Sequence, residues 1–156
     1  MSAEEHAVAS AWRAALDRPG VSGELEALFT LVADQISLRG PACWASGRCC
    51  NFEAFGHRLF VTGLEAAWVV RHAALEHGAI EAARARGGCP YQRENLCGIH
   101  DAKPLACRVF FCDRSAEEWQ RTLMERLMIA LRRLHDRHAV PYRYLEWREA
   151  LRIVSA

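Results

Sequence analysis

Apolar residues recur along most of this chain at helical spacing. Leu25, Phe29, Val32 and Ile36 follow one another at intervals of four, three and four residues, lining one face of a helix. The pattern predicts a helix that begins near Ser22 and stops at Gly40-Pro41. Ahead of it, Ser2 and Glu5 have the spacing of a capping box, Trp12 and Leu16 share a face, and Pro19-Gly20 ends a first helix. "LFVTGLEAAWVV" predicts a third helix, opened by Thr62 and Glu65 as another capping box and carrying Leu64, Trp68 and Leu75 inward. Gly78 and Gly87-Gly88 punctuate the stretch beyond that helix.

The strongest periodic run is "DRSAEEWQRTLMERLMIALRRLHDRH". Ser115 and Glu118 read as its capping box, and Trp119, Leu123, Leu127, Ala130 and Leu134 as its apolar stripe. Glu117 and Glu118 at the start and Arg132, Arg133 and Arg137 at the end suit the helix dipole. Pro141 breaks the pattern, and "YRYLEWREALRIV" reads as a short terminal helix in which Tyr142, Tyr144 and Trp147 pack. With no repeat, low-complexity segment or linker, residues 1–156 read as a single, mainly α domain.

Two stretches escape this periodicity. One is "CWASGRCC", from Cys43. The other is "CPYQRENLCGIHDAKPLACRVFFC", from Cys89 to Cys112, interrupted by Pro90 and Pro104. Seven, nine and four residues lie between its successive cysteines. All seven cysteines of the chain lie in these two stretches: Cys43, Cys49, Cys50, Cys89, Cys97, Cys107 and Cys112. The expected architecture is a helical domain holding two irregular cysteine-rich loops that form a metal site.

Charge and compartment decide how those cysteines are read. The formal net charge is +1, and acidic residues interleave with the basic run "RRLHDRH", which reads as a solvated helix end rather than a nucleic-acid surface. No apolar run has the length of a membrane span. The start "MSAEEHAVAS" lacks the basic and apolar regions of a signal peptide, so a cytoplasmic protein with reduced thiols is expected. An odd number of cysteines cannot pair completely. Cysteine as a small buried hydrophobe would suit one or two positions on helices, not seven in two blocks. Thiolate ligation of a metal, which would also supply folding energy to loops with little core, is the better reading.

Thiolates select zinc, copper(I) or iron–sulfur chemistry. Zinc knuckles place two to four residues between paired ligands, and only Cys107 and Cys112 come near that. The long irregular gaps and the adjacent Cys49-Cys50 pair are easier to reconcile with an iron–sulfur cluster, though spacing alone does not separate that from a four-thiolate zinc site. His57 and His100 lie close to the blocks and are candidate additional ligands. Arg108 would offset thiolate charge, and Phe110 and Phe111 would shield the site from water. His72 and His77 read as structural, and His6, His135 and His138 as solvated. No Walker loop, dinucleotide-binding glycine fingerprint or H-E-x-x-H helix is present. A single nucleophilic cysteine beside a histidine would leave the other cysteines unexplained.

The lone cysteine followed by Cys49-Cys50, the Thr62-x-x-Glu65 helix start and above all the second block resemble the CxxCxxCC zinc- or iron-chelating family, the YkgJ-type cysteine cluster proteins. The match runs through Cys89, Pro90, Cys97, Ile99, Pro104, Cys107, Arg108 and Phe110, within a stretch from Cys43 to Cys112. The first block here has one cysteine ahead of the pair where the family has two. His100 stands in place of tyrosine and Lys103 in place of arginine. The resemblance implies metal chelation by the seven cysteines, with an open position or a histidine replacing the missing thiolate. Relatives that include the cysteine-rich part of flagellin lysine methylases imply redox or methyl-transfer chemistry by analogy.

Two function classes are open to such a chain. One is an iron–sulfur or iron protein with redox, metal-handling or catalytic use, acting on an unidentified protein or small-molecule partner. The other is a structural zinc domain that mediates protein interactions.

Overall fold

The computed structural model describes residues 1–42 and 47–156, and seven α-helices make up most of what it describes. Helix α1 (Ala3–Ala15) opens on the expected capping box: the Glu5 N–H donates to Ser2 Oγ at 3.1 Å, and the Ser2 N–H to Glu5 Oε2 at 2.8 Å. Trp12 and Leu16 are buried. Helix α2 (Pro19–Arg39) starts ahead of Ser22. Proline is well tolerated at a first helical position, where its missing N–H would be unpaired anyway, so Pro19 opens α2 instead of only ending α1. Leu25, Phe29 and Val32 are buried, Ile36 half-buried, and Gly40 ends the helix in the left-handed conformation.

Helix α3 (Gly63–His72) carries the second expected capping box, Thr62 with Glu65. It ends before Leu75, which lies half-buried in the link to α4 (Ala79–Arg86) rather than on an inward helical face. Leu64 and Trp68 do face the core. Helix α5 (Leu105–Val109) is short, α6 (Glu117–Arg137) long, and α7 (Trp147–Ser155) terminal.

The start of α6 differs from the expected Ser115–Glu118 capping box. Asp113 Oδ1 accepts the Ser115 N–H at 3.0 Å and its hydroxyl at 2.6 Å. With that hydroxyl engaged, residues Arg114–Ala116 form a 3₁₀ turn, and α6 begins at Glu117 without a side-chain cap. The buried stripe is Leu123, Leu127, Leu131 and Leu134; Trp119 and Ala130 sit at its margins. His135 is 1% exposed rather than solvated, because it follows Leu134 on the core side and bonds through Nδ1 to the Val140 carbonyl at 3.1 Å. His138 pairs with Glu24 at 2.9 Å.

Short strands also depart from the helical reading. Strands β1 (Phe60–Thr62) and β4 (Tyr144–Glu146) pair antiparallel, with Val61 opposite Leu145. The terminal helix therefore begins at Trp147, not Tyr142, with Glu146 accepting the Arg148 and Glu149 N–H groups as its cap. Strands β2 (Gln92–Arg93) and β3 (Leu96–Cys97) form a hairpin. Its two loop residues, Glu94 and Asn95, have φ of 47° and 66°, the type I′ geometry that matches strand twist.

One apolar cluster draws on all seven helices. Helix α3 packs between α1 and α7, while α5 packs against α2 and α6. The α1–α3 approach depends on Gly63, where a Cβ would lie 2.2 Å from the Trp12 ring. Among the described residues, no helix is long and apolar enough to cross a membrane.

Candidate metal centre

Gly47 brings the two cysteine blocks together. Its φ is +74°, and a Cβ there would lie 2.2 Å from the Asn95 carbonyl oxygen at the hairpin tip. Asn51 Nδ2 bridges the same two residues, donating to Gly47 O and to Asn95 Oδ1, each at 2.8 Å. The 3₁₀ turn Arg48–Cys50 comes next after Gly47, and Cys50 O accepts the Cys89 N–H at 2.9 Å. The hairpin then folds the seven-residue gap back on itself and returns Cys97 opposite Gln92. A spacing too open for a knuckle is thus closed by a turn.

Cys107 departs from the expected irregular loop, because it lies within α5. Pro104 ends the extended lead-in and can stand before a helix, where no N–H is required of it. Glu65 fixes the position of α5: its Oε1 accepts the Leu105 N–H at 2.9 Å, while Oε2 holds Thr62 N and Oγ1 at 2.8 and 2.9 Å. The capping carboxylate of α3 thereby also holds the start of the helix that bears Cys107. Burial pushes the Glu65 carboxyl up, against the opposing pull of these donors.

The thiols meet around Cys50. Its side chain is within hydrogen-bonding reach of Cys49, Cys89 and Cys97. The contacts hold its thiol well above the usual range, and burial adds to this. The same contacts act in reverse on its neighbours. The Cys50 hydrogen bond brings Cys49 down to about 7 and Cys97 to about 6, with the charges of His100 and Lys103 adding to the effect on Cys97. Cys89 is lowered too, first by Cys50 and also by Trp147. Cys107 is raised, chiefly by burial and then by the negative charge of Cys89, Cys97 and Cys49. Several thiols are therefore close enough that they cannot all ionise without a compensating cation.

The surroundings are mixed. Trp147 donates its indole N–H to Cys89 Sγ at 3.3 Å, and Arg86 donates to the Cys89 carbonyl at 2.6 Å. His57 stacks on Phe110, with Nε2 3.4 Å from the Cys49 carbonyl oxygen. Phe110 is 44% exposed, and His100 is exposed. The Arg108 guanidinium lies 4.0 Å over the Phe29 ring, and its Nε donates to Lys103 O at 2.6 Å. Cys112 lines a cavity of about 270 Å³ with Arg48, Phe111 and Gln120. Cys43 lies outside the described residues.

As the side chains stand, no group of three or more His, Cys, Asp or Glu among the described residues is arranged to hold an ion. The thiol contacts run across both blocks. The second block by itself does not account for them. Three residues that build this neighbourhood carry no metal-ligand signal in the sequence: Gly47, Glu65 and Trp147. Glu65 is readable as a capping residue, but its second partner is forty residues away and unreadable from spacing.

No family model, no curated protein and no solved structure matches this chain.

Proposed function

We propose that this chain is a thiolate-rich metal-binding protein whose centre is an iron–sulfur cluster or iron, used in redox, metal-handling or catalytic chemistry. The observation that carries this reading is the meeting of Cys50 with Cys49, Cys89 and Cys97, which draws sulfur donors from both blocks into one place. Cys107 borders the same group through its charge coupling to three of them. The donor set fits the proposal, because soft sulfur ligands select zinc, copper(I) or iron–sulfur centres over calcium or magnesium. The resemblance of the second block to the cysteine-cluster family supports the same reading.

Cys49, Cys50, Cys89, Cys97 and Cys107 would hold the metal, and the bound centre would supply electron transfer or Lewis acidity. The protein's own part is to hold and tune. Cys50 must give up its proton, since the thiolate is the ligand form, so uptake releases protons and is favoured by higher pH. The Trp147 N–H stabilises thiolate at Cys89, and the Lys103 ammonium does so at Cys97. Trp147, Leu105 and the other buried side chains nearby keep the dielectric low.

Anaerobic purification followed by elemental analysis, a visible spectrum and a labile-sulfide assay tests this. Brown protein with broad visible absorption, iron and sulfide supports it. Colourless protein with stoichiometric zinc would replace it with the structural zinc reading, in which the helical surface binds a partner.

A further inference from the structure

A cavity of about 230 Å³ opens directly beside the thiols, with Cys49 and Cys107 in its lining. Its apolar walls carry three aromatic rings, Phe60, Phe110 and Tyr144, with Met124, Leu59 and Ala106 between them. Three of these are among the large apolar side chains left exposed, with Phe60 at 38% and Phe110 and Tyr144 at 44%. Exposed aromatics that converge on one hollow mark a binding site more often than scattered ones do.

The sheet explains their placement. Thr62 stands opposite Tyr144 in the β1–β4 ladder, so Phe60, two residues along from Thr62, shares the face of Tyr144. Their rings lie 5.7 Å apart and tilted. The hairpin-like pairing of distant segments thus builds an aromatic wall that neither segment holds alone.

The polar part of the lining is Arg58, His57 and the two thiols, with Arg58 its fixed cation. Among the described residues no aspartate or glutamate borders the cavity. A guanidinium at the edge of an aromatic hollow favours a carboxylate on a flat apolar body. The volume lies below the roughly 300–1,000 Å³ of pockets for drug-sized molecules, which sets the ligand near a dozen non-hydrogen atoms.

We infer that this cavity binds a small aromatic carboxylate, its ring among Phe60, Phe110, Met124 and Tyr144 and its acid group at Arg58, and so presents it to Cys49 and Cys107. The inference extends the metal reading by naming the ligand class of the same site. Van der Waals contact with four apolar side chains orients the ring, and the Arg58 contact selects the acid over neutral analogues.

Calorimetric titration with 1-naphthoate and with its neutral analogue 1-naphthalenemethanol tests it, on protein whose metal content is assayed in parallel. Naphthoate should bind more tightly than the alcohol. Arg58→Ala, at an exposed position, should weaken naphthoate by about tenfold, the effect of losing one charge-assisted hydrogen bond, while leaving the alcohol unchanged. Met124→Trp, checked for folding by circular dichroism, should fill the cavity and abolish both heats. No heat from naphthoate at millimolar concentration, equal affinity for acid and alcohol, or indifference to Arg58→Ala overturns the inference. Because binding heat is read independently of metal, protein that binds naphthoate but never retains metal keeps this site and loses the metal reading. Protein that holds metal and gives no heat does the reverse.

Discussion

The indole N–H of Trp147 points at the sulfur of Cys89 from 3.3 Å, and both side chains are buried. The bond joins the first residue of α7 to the first cysteine of the second block, 58 positions earlier. A tryptophan N–H has few ways to be satisfied in a core, and a thiolate gains more from it than a thiol does. Trp147→Phe keeps an aromatic ring and removes the donor. We expect it to lower unfolding free energy by about 2–4 kcal/mol, combining the lost bond with the lost volume. Urea melts check the stability. Alkylation of Cys89 should also become faster in the variant, and an unchanged rate would show that the bond does not shelter the sulfur.

Gly47 predicts a paired experiment. Gly47→Ala must accommodate both a positive φ and a Cβ 2.2 Å from Asn95 O, whereas Gly56→Ala meets a positive φ with nothing within 4 Å. The second variant therefore reports backbone strain alone, about 1 kcal/mol. The first should cost at least twice as much and, if the chain holds metal as proposed, should lower the metal retained, because the added Cβ pushes the first block away from the hairpin tip. Equal costs in thermal melts would mean that this approach is not what joins the blocks.

Glu65 makes a third case. Glu65→Ala leaves the Leu105 and Thr62 N–H groups without their acceptor in a buried setting, and should cost about 3 kcal/mol. Because α5 is then released at its start, Cys107 should become more reactive toward alkylating reagents. Glu65→Gln retains one acceptor oxygen and should fall between wild type and alanine. If Cys107 reactivity is unmoved in both, α5 is held by packing alone.

The pH dependence of stability should carry a signature of His135. Burial lowers its pKa, so the folded state prefers the neutral ring while the unfolded chain protonates near the ordinary value of about 6.5. The contribution is therefore fully present above that value and is lost as pH falls through it toward the folded-state pKa. The slope from one such group reaches about 1.4 kcal/mol per pH unit. Urea melts between neutral pH and pH near 5 should show a shallower decline in His135→Gln than in wild type. Parallel declines would place the acid sensitivity in other groups.

Much of the helical frame is legible in the sequence because helices announce themselves locally. The capping boxes at Ser2 and Thr62 form as spacing implies, since each needs only residues three apart. Ser115 fails for an equally local reason, in that Asp113 lies two residues away and takes its hydroxyl. The β1–β4 pair is invisible at that level. Three-residue strands are too short to show alternation, and Phe60 to Thr62 read as the approach to a helix until a partner some eighty positions away is known. For the same reason the joining of the two cysteine blocks can be expected from sequence, yet which thiols meet, Cys50 with Cys89 and Cys97, cannot be read from spacing. It depends on a type I′ turn at Glu94-Asn95 and on Gly47, which are backbone conformations rather than patterns.

The β1–β4 pairing also sets an order of events during synthesis. Leu59 O accepts the Trp147 N–H at 2.8 Å, Gly63 N donates to Arg143 O at 3.1 Å, and the Trp12 indole bonds Pro141 O at 2.8 Å. Each of these closures waits for Pro141 or residues beyond it to leave the ribosome. By then the cysteines from Cys49 to Cys112 have already emerged, on a chain whose α7 cannot yet set Trp147 against Cys89. A nascent chain of this design passes through an interval in which its thiols are accessible and its fold is open. Long-range closure of this kind is slow relative to helix formation. Helix α7 therefore acts as a latch on Cys89, whose sulfur is open to solvent until Trp147 closes over it.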